Sequence, residues 1–404
     1  MNPSRRAFLK KFFYGTLSAS VSACQTAVPI EKRKDRLKKD QMFYRRLGRT
    51  NLYISEISLG GSPLPDWAIF RETIDRGVNY IDTSESYQNG NSERQIGRLF
   101  KAVGRDKVYV GTKFHLRGNW DKEYIIDKVD KSLQRLGTDY LDVLLIHGAS
   151  NEEHLTDERL IAAFEQLKEE GKYRFKGLSC HSNHHKVVKR AVECGYYDMI
   201  QLGYNVFDIQ ETEEKTEVYD DYLGASGIRR LIALAKENDV GIIAMKTLKV
   251  GAKRQNLEAY RTESTSLFQT MLKWVLENKS VSSVVTEMLT FEQMEEDLAV
   301  VGQRLAREER RALYRHVLEN GKDYCHQCGA CEANCPSRIK TTSILHCLIY
   351  LESYRKWNLA RGRYSSLKPI ETALFCKDCG ICEKVCLYGV SVRKKIKEAQ
   401  IKLT

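Results

Sequence analysis

Asn79-Tyr80-Ile81-Asp82-Thr83-Ser84-Glu85-Ser86-Tyr87 opens apolar and closes on acids, hydroxyls and a phenol. It reads as a buried strand emptying into a polar loop. Similar β-branched runs recur on both sides of it: Ile54 to Leu59, Tyr80 to Asp82, Val108 to Lys113, Val143 to His147, Lys176 to Ser179, Met199 to Leu202, Gly241 to Ala244 and Val281 to Val285. Amphipathic stretches such as Leu160 to Glu170 and Ile228 to Glu237 separate them. Strands alternating with helices over this length predict a closed (β/α)8 barrel of the TIM type, which commonly takes about 250 residues. The competing doubly wound sheet lacks the expected Gly-x-Gly-x-x-Gly turn after its first strand.

In such a barrel the C-terminal strand ends meet across one mouth. Here they carry Asp82 with Tyr87, Lys113, His147, Ser179, Gln201, Lys246 and Glu287. Any one of these alone is more often a surface or capping residue. Together, an acid, a phenol, an ammonium and an imidazole predict proton chemistry. An ammonium beside a tyrosine favours phenolate and lowers its pKa, and an aspartate keeps that ammonium in place. Lys113, Tyr87 and Asp82 suit those roles, with His147 orienting a carbonyl.

The remaining sequence divides by composition. The net charge is +12, but Arg5, Arg6, Lys10 and Lys11 lie in the first 23 residues, which hold no acid, leaving +8 for the rest. Much of that sits in Lys32 to Lys39 and Arg393 to Lys402 with no nucleic-acid motif beside it, so no nucleic-acid partner is expected. Ser4-Arg-Arg-Ala-Phe-Leu-Lys10, followed by a short, weakly apolar run, resembles a twin-arginine export signal over residues 1–23. Val21-Ser-Ala-Cys24 resembles a lipobox, which implies an extracytoplasmic or periplasmic protein anchored to a membrane through Cys24. A charged tether (24–41), the barrel (42–304), a linking helix (305–323), a cysteine module (324–392) and a basic tail (393–404) follow.

Nine of the twelve cysteines lie in that module, eight of them in two tight clusters. Cys325, Cys328, Cys331 and Cys335 form C-x2-C-x2-C-x3-C-P, and Cys376, Cys379, Cys382 and Cys386 repeat the spacing with Leu387 in place of proline. Three close thiolates grip three corners of a 4Fe-4S cube, and the fourth cysteine crosses to the other cube. That predicts one cluster on Cys325, Cys328, Cys331 and Cys386, and a second on Cys376, Cys379, Cys382 and Cys335. Structural zinc takes four ligands without needing this crossed pattern. With an apolar stretch between the motifs, the module resembles an α-helical dicluster ferredoxin. Cys347 on that stretch is expected in a core.

Asp82 with Tyr87 five residues on, Gly-Thr-Lys113-Phe, Leu-Leu-Ile-His147 and the opening Arg46-Leu-Gly-Arg-Thr resemble the aldo/keto reductases from about residue 44 to 300. The resemblance implies a catalytic tetrad of Asp82, Tyr87, Lys113 and His147, a nicotinamide coenzyme, and reversible reduction of a small-molecule carbonyl to an alcohol. It assigns Ser179 and Gln201 to the nicotinamide carboxamide. Cys180 stands where the family usually has asparagine, and Met245 where an aromatic usually covers the nicotinamide. Glu287 occupies a position where NADPH-preferring members place a residue for the 2'-phosphate, which favours NAD(H) over NADP(H), although Lys246 offers a nearby cation. Cys180 and His181 are expected to reach substrate, whereas His184 and His185 are expected to start a helix. Export with clusters already assembled implies the twin-arginine machinery and a membrane electron-transfer partner. The rival readings are an ordinary reductase with structural clusters and a non-catalytic electron carrier.

Overall fold

The structure, a computed structural model, describes residues 34–210, 227–248, 257–321, 325–352, 355–386 and 388–404. The export signal, Cys24 and Leu387 lie outside the described residues. From Arg36 to Thr404 the chain forms one compact unit. Strands β4 (Ile57–Gly60), β5 (Tyr80–Asp82), β6 (Tyr109–Phe114), β7 (Leu141–Ala149), β8 (Tyr173–Cys180), β9 (Met199–Gly203), β10 (Gly241–Met245) and β11 (Ser283–Thr286) close into a parallel barrel. Closure is made where Val284 of β11 pairs with Ile57 of β4, which excludes the open doubly wound sheet.

The predicted first strand, Ile54 to Leu59, is two strands. β1 (Arg36–Lys39), β2 (Met42–Arg46) and β3 (Tyr53–Ser55) make a separate antiparallel sheet, so the end of the expected tether is a strand. Glu56 breaks the run because its carboxylate, 1% exposed, accepts bonds from Arg45 Nε (2.7 Å) and Arg36 Nη2 (2.9 Å). Arg45 also donates to the carbonyls of Leu276, Asn278 and Val281. This ties the small sheet to the helix before β11. Leu47, Leu52 and Ile54 pack with Tyr80, Val143, Leu145, Met199 and Ile243 as one apolar core. Gly241 is required there, since a Cβ would lie 2.6 Å from Leu47.

Around the barrel run α1 (Trp67–Asp75), α2 (Asn91–Val103), α3 (Lys122–Leu136), α4 (Glu158–Glu169), α5 (His184–Glu193), α6 (Ile228–Glu237), α7 (Leu267–Glu277) and α8 (Phe291–Leu298). Side-chain caps start several of them: Asp121 accepts from Tyr124 N–H, Asp157 from Arg159 N–H, and Ser266 forms a reciprocal box with Gln269. The expected linking helix is α9 (Arg307–Asn320), whose Glu309 pairs with Lys273 of α7 at 2.7 Å.

Beyond it, α10 (Ala330–Ala333), α11 (Thr341–Glu352), α12 (Trp357–Ser365), α13 (Ile381–Lys384) and α14 (Val392–Leu403) enclose a second core. The residues expected as a basic tail are mostly α14. Val392, Ile396, Ala399 and Leu403 recur on one face and are buried, while the cations lie mainly on the other faces. The two cysteine loops are built alike, 51 positions apart from Cys325 to Cys376 and from Cys335 to Cys386. Positive φ recurs at Gln327 and Asp378, Gly329 and Gly380, and Arg338 and Gly389. Glu332 accepts from Thr342 N–H just as Glu383 accepts from Arg393 N–H.

Candidate active site

Asp82 ends β5, Lys113 is the second-last residue of β6 and His147 lies near the end of β7, so barrel closure brings all three to one mouth. Tyr87 reaches them from the loop after β5, where Gln88 and Asn89 take left-handed conformations. Lys113 is 1% exposed, and its Nζ donates to Asp82 Oδ2 at 2.8 Å and to the Thr83 carbonyl at 2.7 Å. The same ammonium lies 3.5 Å from Tyr87 Oη. The rings of Tyr87 and His147 meet edge to face with centroids 5.6 Å apart. His147 Nδ1 is 2.8 Å from Ser84 Oγ, which leaves Nε2 for the mouth.

Electrostatics correct one expectation. Burial pushes the Tyr87 phenol well above its ordinary value, and the Asp82 carboxylate adds to the shift. The Lys113 charge is already matched by Asp82, so it does not make Tyr87 a phenolate, and the phenol keeps its proton. Burial also lowers Lys113 and raises Asp82, each opposed by the attraction between them. His147 is held neutral by burial and by the charges of Lys113, His115 and Arg363.

The aldo/keto reductase family profile matches residues 67–262. Those residues form an aldo/keto reductase family domain. The chain is an aldo/keto reductase-like oxidoreductase. An uncharacterized oxidoreductase of Bacillus subtilis (strain 168) is 29% identical over 311 residues, covering 69% of this chain and 98% of its own. The NADH-specific methylglyoxal reductase of Escherichia coli (strain K12) is 30% identical over 193 residues, 40% of this chain and 59% of that enzyme. An aldo-keto reductase from Klebsiella pneumoniae, solved in complex with NADPH, superposes with a TM-score of 0.53 at 23% identity, covering 67% of this chain and 94% of that one; the likeness is one of fold.

In the reductase domain, Ser179 Oγ accepts from Gly148 N–H at 2.9 Å. Gln201 is 2% exposed, and its Oε1 meets no donor among the described residues. A buried acceptor left unpaired is costly, so this atom fits a donor arriving with a ligand. Met245 is buried at the end of β10. Cys180 does not reach substrate: it is fully buried, its Sγ donates to the Ser182 carbonyl, and burial pushes its thiol up to about 12. His181 does face the mouth, 5.7 Å from His147 between ring centroids, and His184 opens α5 as expected.

The C-terminal helices also reach this mouth. Lys246 Nζ lies 3.2 Å from His346 Nε2 of α11, and Glu287 pairs with Lys356 at 3.6 Å. Lys356 also donates to the Ser62 carbonyl, and Ile349 of α11 belongs to the barrel's core cluster. Both side chains from which the coenzyme preference was argued therefore carry partners from outside the barrel. The argument from Glu287 as a lone carboxylate does not hold, because Lys356 offsets its charge. His346, Tyr350 and Arg363 had no signature in sequence, since their role depends on tertiary contact. Ser84 and His115 stood close to named residues, but nothing in their spacing marked them.

The cysteines gather as two sets. Cys335, Cys376, Cys379 and Cys382 line one pocket with Pro336 and Arg393. Cys331 is pushed up by burial and then by Cys325, Cys328, Cys386 and Cys382, so the other quartet lies within electrostatic reach of it. Gln327 N–H donates to Cys325 Sγ and Val390 N–H to Cys386 Sγ. Among the described residues, no three His, Cys, Asp or Glu side chains converge as ligands of a single metal ion. Cys347 lies in the second core, as expected.

Proposed function

We propose that the chain interconverts a carbonyl and an alcohol at the barrel mouth with a nicotinamide coenzyme, and that two 4Fe-4S clusters in the C-terminal module relay electrons to or from a membrane partner. The observation that carries the reading is Lys113 Nζ set between Asp82 and Tyr87 Oη, beside a neutral His147. Tyr87 gives its proton to the substrate oxygen during reduction and recovers it in the reverse direction, while His147 orients that oxygen through Nε2. A bound nicotinamide would supply or accept the hydride at the substrate carbon. Ser179 and the unpaired Gln201 Oε1 suit its carboxamide, and Met245 suits the face of its ring. Lys246 and Glu287 stand beside the coenzyme's path, and the reading accommodates either NAD or NADP.

Each thiolate of a 4Fe-4S cube holds its own iron, so the ligands need not converge on one point. The pocket of Cys335, Cys376, Cys379 and Cys382 supports the crossed pairing, as do the N–H donors to Cys325 and Cys386. Cys325 packs against both cores, and the neighbouring His326 pairs with Asp208 of the barrel at 3.2 Å, whereas Cys379 is exposed. That order supports a path from the mouth through the first cluster to the second and outward. Reoxidation of a reduced nicotinamide would release two electrons and a proton: each cluster would take one electron, and the proton would pass to solvent. Arg5-Arg6 and Cys24 support export of the folded, loaded protein and a lipid tether.

Anaerobically purified protein should contain about eight irons and a nicotinamide identifiable by mass spectrometry. Tyr87→Phe should lower kcat by about 10²- to 10⁴-fold, and undiminished turnover would sink the carbonyl chemistry. Substrate should bleach the cluster absorption; turnover with an unchanged spectrum would sink the relay. That last outcome is what the contacts of α11 with the mouth would favour if the clusters only hold the helices in place. Replacing Arg5 and Arg6 by lysine should retain the protein in the cytoplasm.

A further inference from the structure

The α11 and α12 helices extend a line of contacts out from the mouth. Lys246, just beyond β10, meets His346; His346 stacks on Tyr350 with ring centroids 4.6 Å apart; and the Arg363 guanidinium lies over the Tyr350 ring at 4.8 Å. Most cations around this face already have a partner. Lys113 has Asp82, Lys356 has Glu287, Lys128 has Glu85, and Lys246 has His346. Arg363 has an aromatic face beneath it and, among the described residues, no carboxylate. Through Tyr350 and His346 it is joined to Lys246 at the end of β10, and its charge is felt by Tyr87, His147 and His181. Nearby His181, whose buried Nδ1 has no partner among the described residues, adds a neutral polar edge. A guanidinium lying over an aromatic face still has its N–H fork available to pair with a planar oxyanion.

We propose that Arg363 binds the carboxylate of an oxo-acid or hydroxy-acid substrate, so that the C-terminal module completes the substrate site of the barrel. The inference rests on the carbonyl–alcohol reading and names the substrate class of that same site. The carboxylate sits against Arg363 while the adjacent carbonyl reaches Tyr87 and His147. A coenzyme phosphate offers similar oxygens, and the test separates the two.

Full-length, anaerobically purified protein is assayed with reduced nicotinamide on pyruvate and on its methyl ester, which share the reacting carbonyl and differ in charge. Oxamate binding is followed by calorimetry as a readout independent of turnover. Arg363→Gln should lower kcat/KM for the acid by about 10- to 100-fold and weaken oxamate by a similar factor, leaving the ester within about threefold. Arg363→Lys should recover part of the loss, since it restores charge without the fork. Equal losses on acid and ester, or a rise confined to the coenzyme KM, would assign Arg363 to the coenzyme and overturn the proposal. A wild-type enzyme that reduces the ester through Tyr87 without favouring the acid would also overturn it while leaving the carbonyl chemistry intact. Turnover of both compounds undiminished in Tyr87→Phe would remove the underlying reading instead.

Discussion

Asp82→Asn keeps the shape of the mouth and removes one charge. Lys113 then sits 1% exposed beside a carbonyl, an amide and a phenol, with no counterion in contact. Breaking a buried ion pair on one side costs about 3–5 kcal/mol, because the remaining charge is left without compensation. For a domain of this size that corresponds to a drop in unfolding midpoint of about 6 to 20 °C. The strain is relieved if Lys113 gives up its proton, the direction in which burial already pushes it. The loss of stability should therefore shrink as pH rises, and turnover should fall with it because the charge beside Tyr87 disappears. Replacing Lys113 by methionine in the Asp82→Asn background removes the orphaned charge and should restore most of the midpoint without restoring activity. The assay is thermal unfolding from pH 6 to 9 on the two single variants and the double, read as a cycle. An Asp82→Asn midpoint within about 2 °C of wild type across that range would refute a coupled, charged pair.

Burial holds His316 down at about 4, against an ordinary 6.5, so the unfolded chain takes up this proton first as pH falls. Stability should decline from pH 6.5 to 4 by about 3 kcal/mol, and His316→Phe, which fits beside Phe207 and Tyr260, should flatten that decline in pH-dependent melts. Asp297, 3% exposed on α8, is pushed up to about 7 by burial, so its contribution is present at low pH and is lost as pH rises from about 4 to 7. Asp297→Asn should raise the melting temperature at pH 8, by up to about 4 kcal/mol in stability, and change little at pH 4. Crossed ligation predicts that Cys335→Ser and Cys386→Ser each lower iron from about eight to about four per chain. The cluster that survives should differ between the two variants in its electron paramagnetic resonance spectrum.

The barrel was legible because each strand is a compact β-branched run and the polar residues fall just beyond its end, a pattern set by local geometry. The meeting of Asp82, Tyr87, Lys113 and His147 at one mouth could be read for the same reason. The first strand was misjudged because Glu56 interrupts an otherwise uniform run, and only its distant partners Arg36 and Arg45 explain why a carboxylate is buried there. The α14 helix was hidden by its lysines, although Val392, Ile396, Ala399 and Leu403 carried the period of a buried face. The protonation of Tyr87 was missed for a different cause: sequence named its neighbour Lys113 but did not give the balance between burial, Asp82 and that ammonium. Contacts such as Lys246 with His346, a hundred positions apart, leave no periodic trace at either end.

Helix α11 has two loyalties. Leu345, Cys347, Leu348 and Leu351 belong to the core that carries the cysteine loops, with Tyr350 packed against it, while His346 and Ile349 meet the barrel. The chain is therefore not a reductase with a detachable appendage. Cut before Cys325, the barrel would keep its tetrad but lose the wall that shelters it, and the seat of Ile349 would become a wet apolar surface. Substitutions along one face of a three-turn helix must satisfy the mouth and those along the other the cysteine loops, so the two halves of the molecule are constrained to change together.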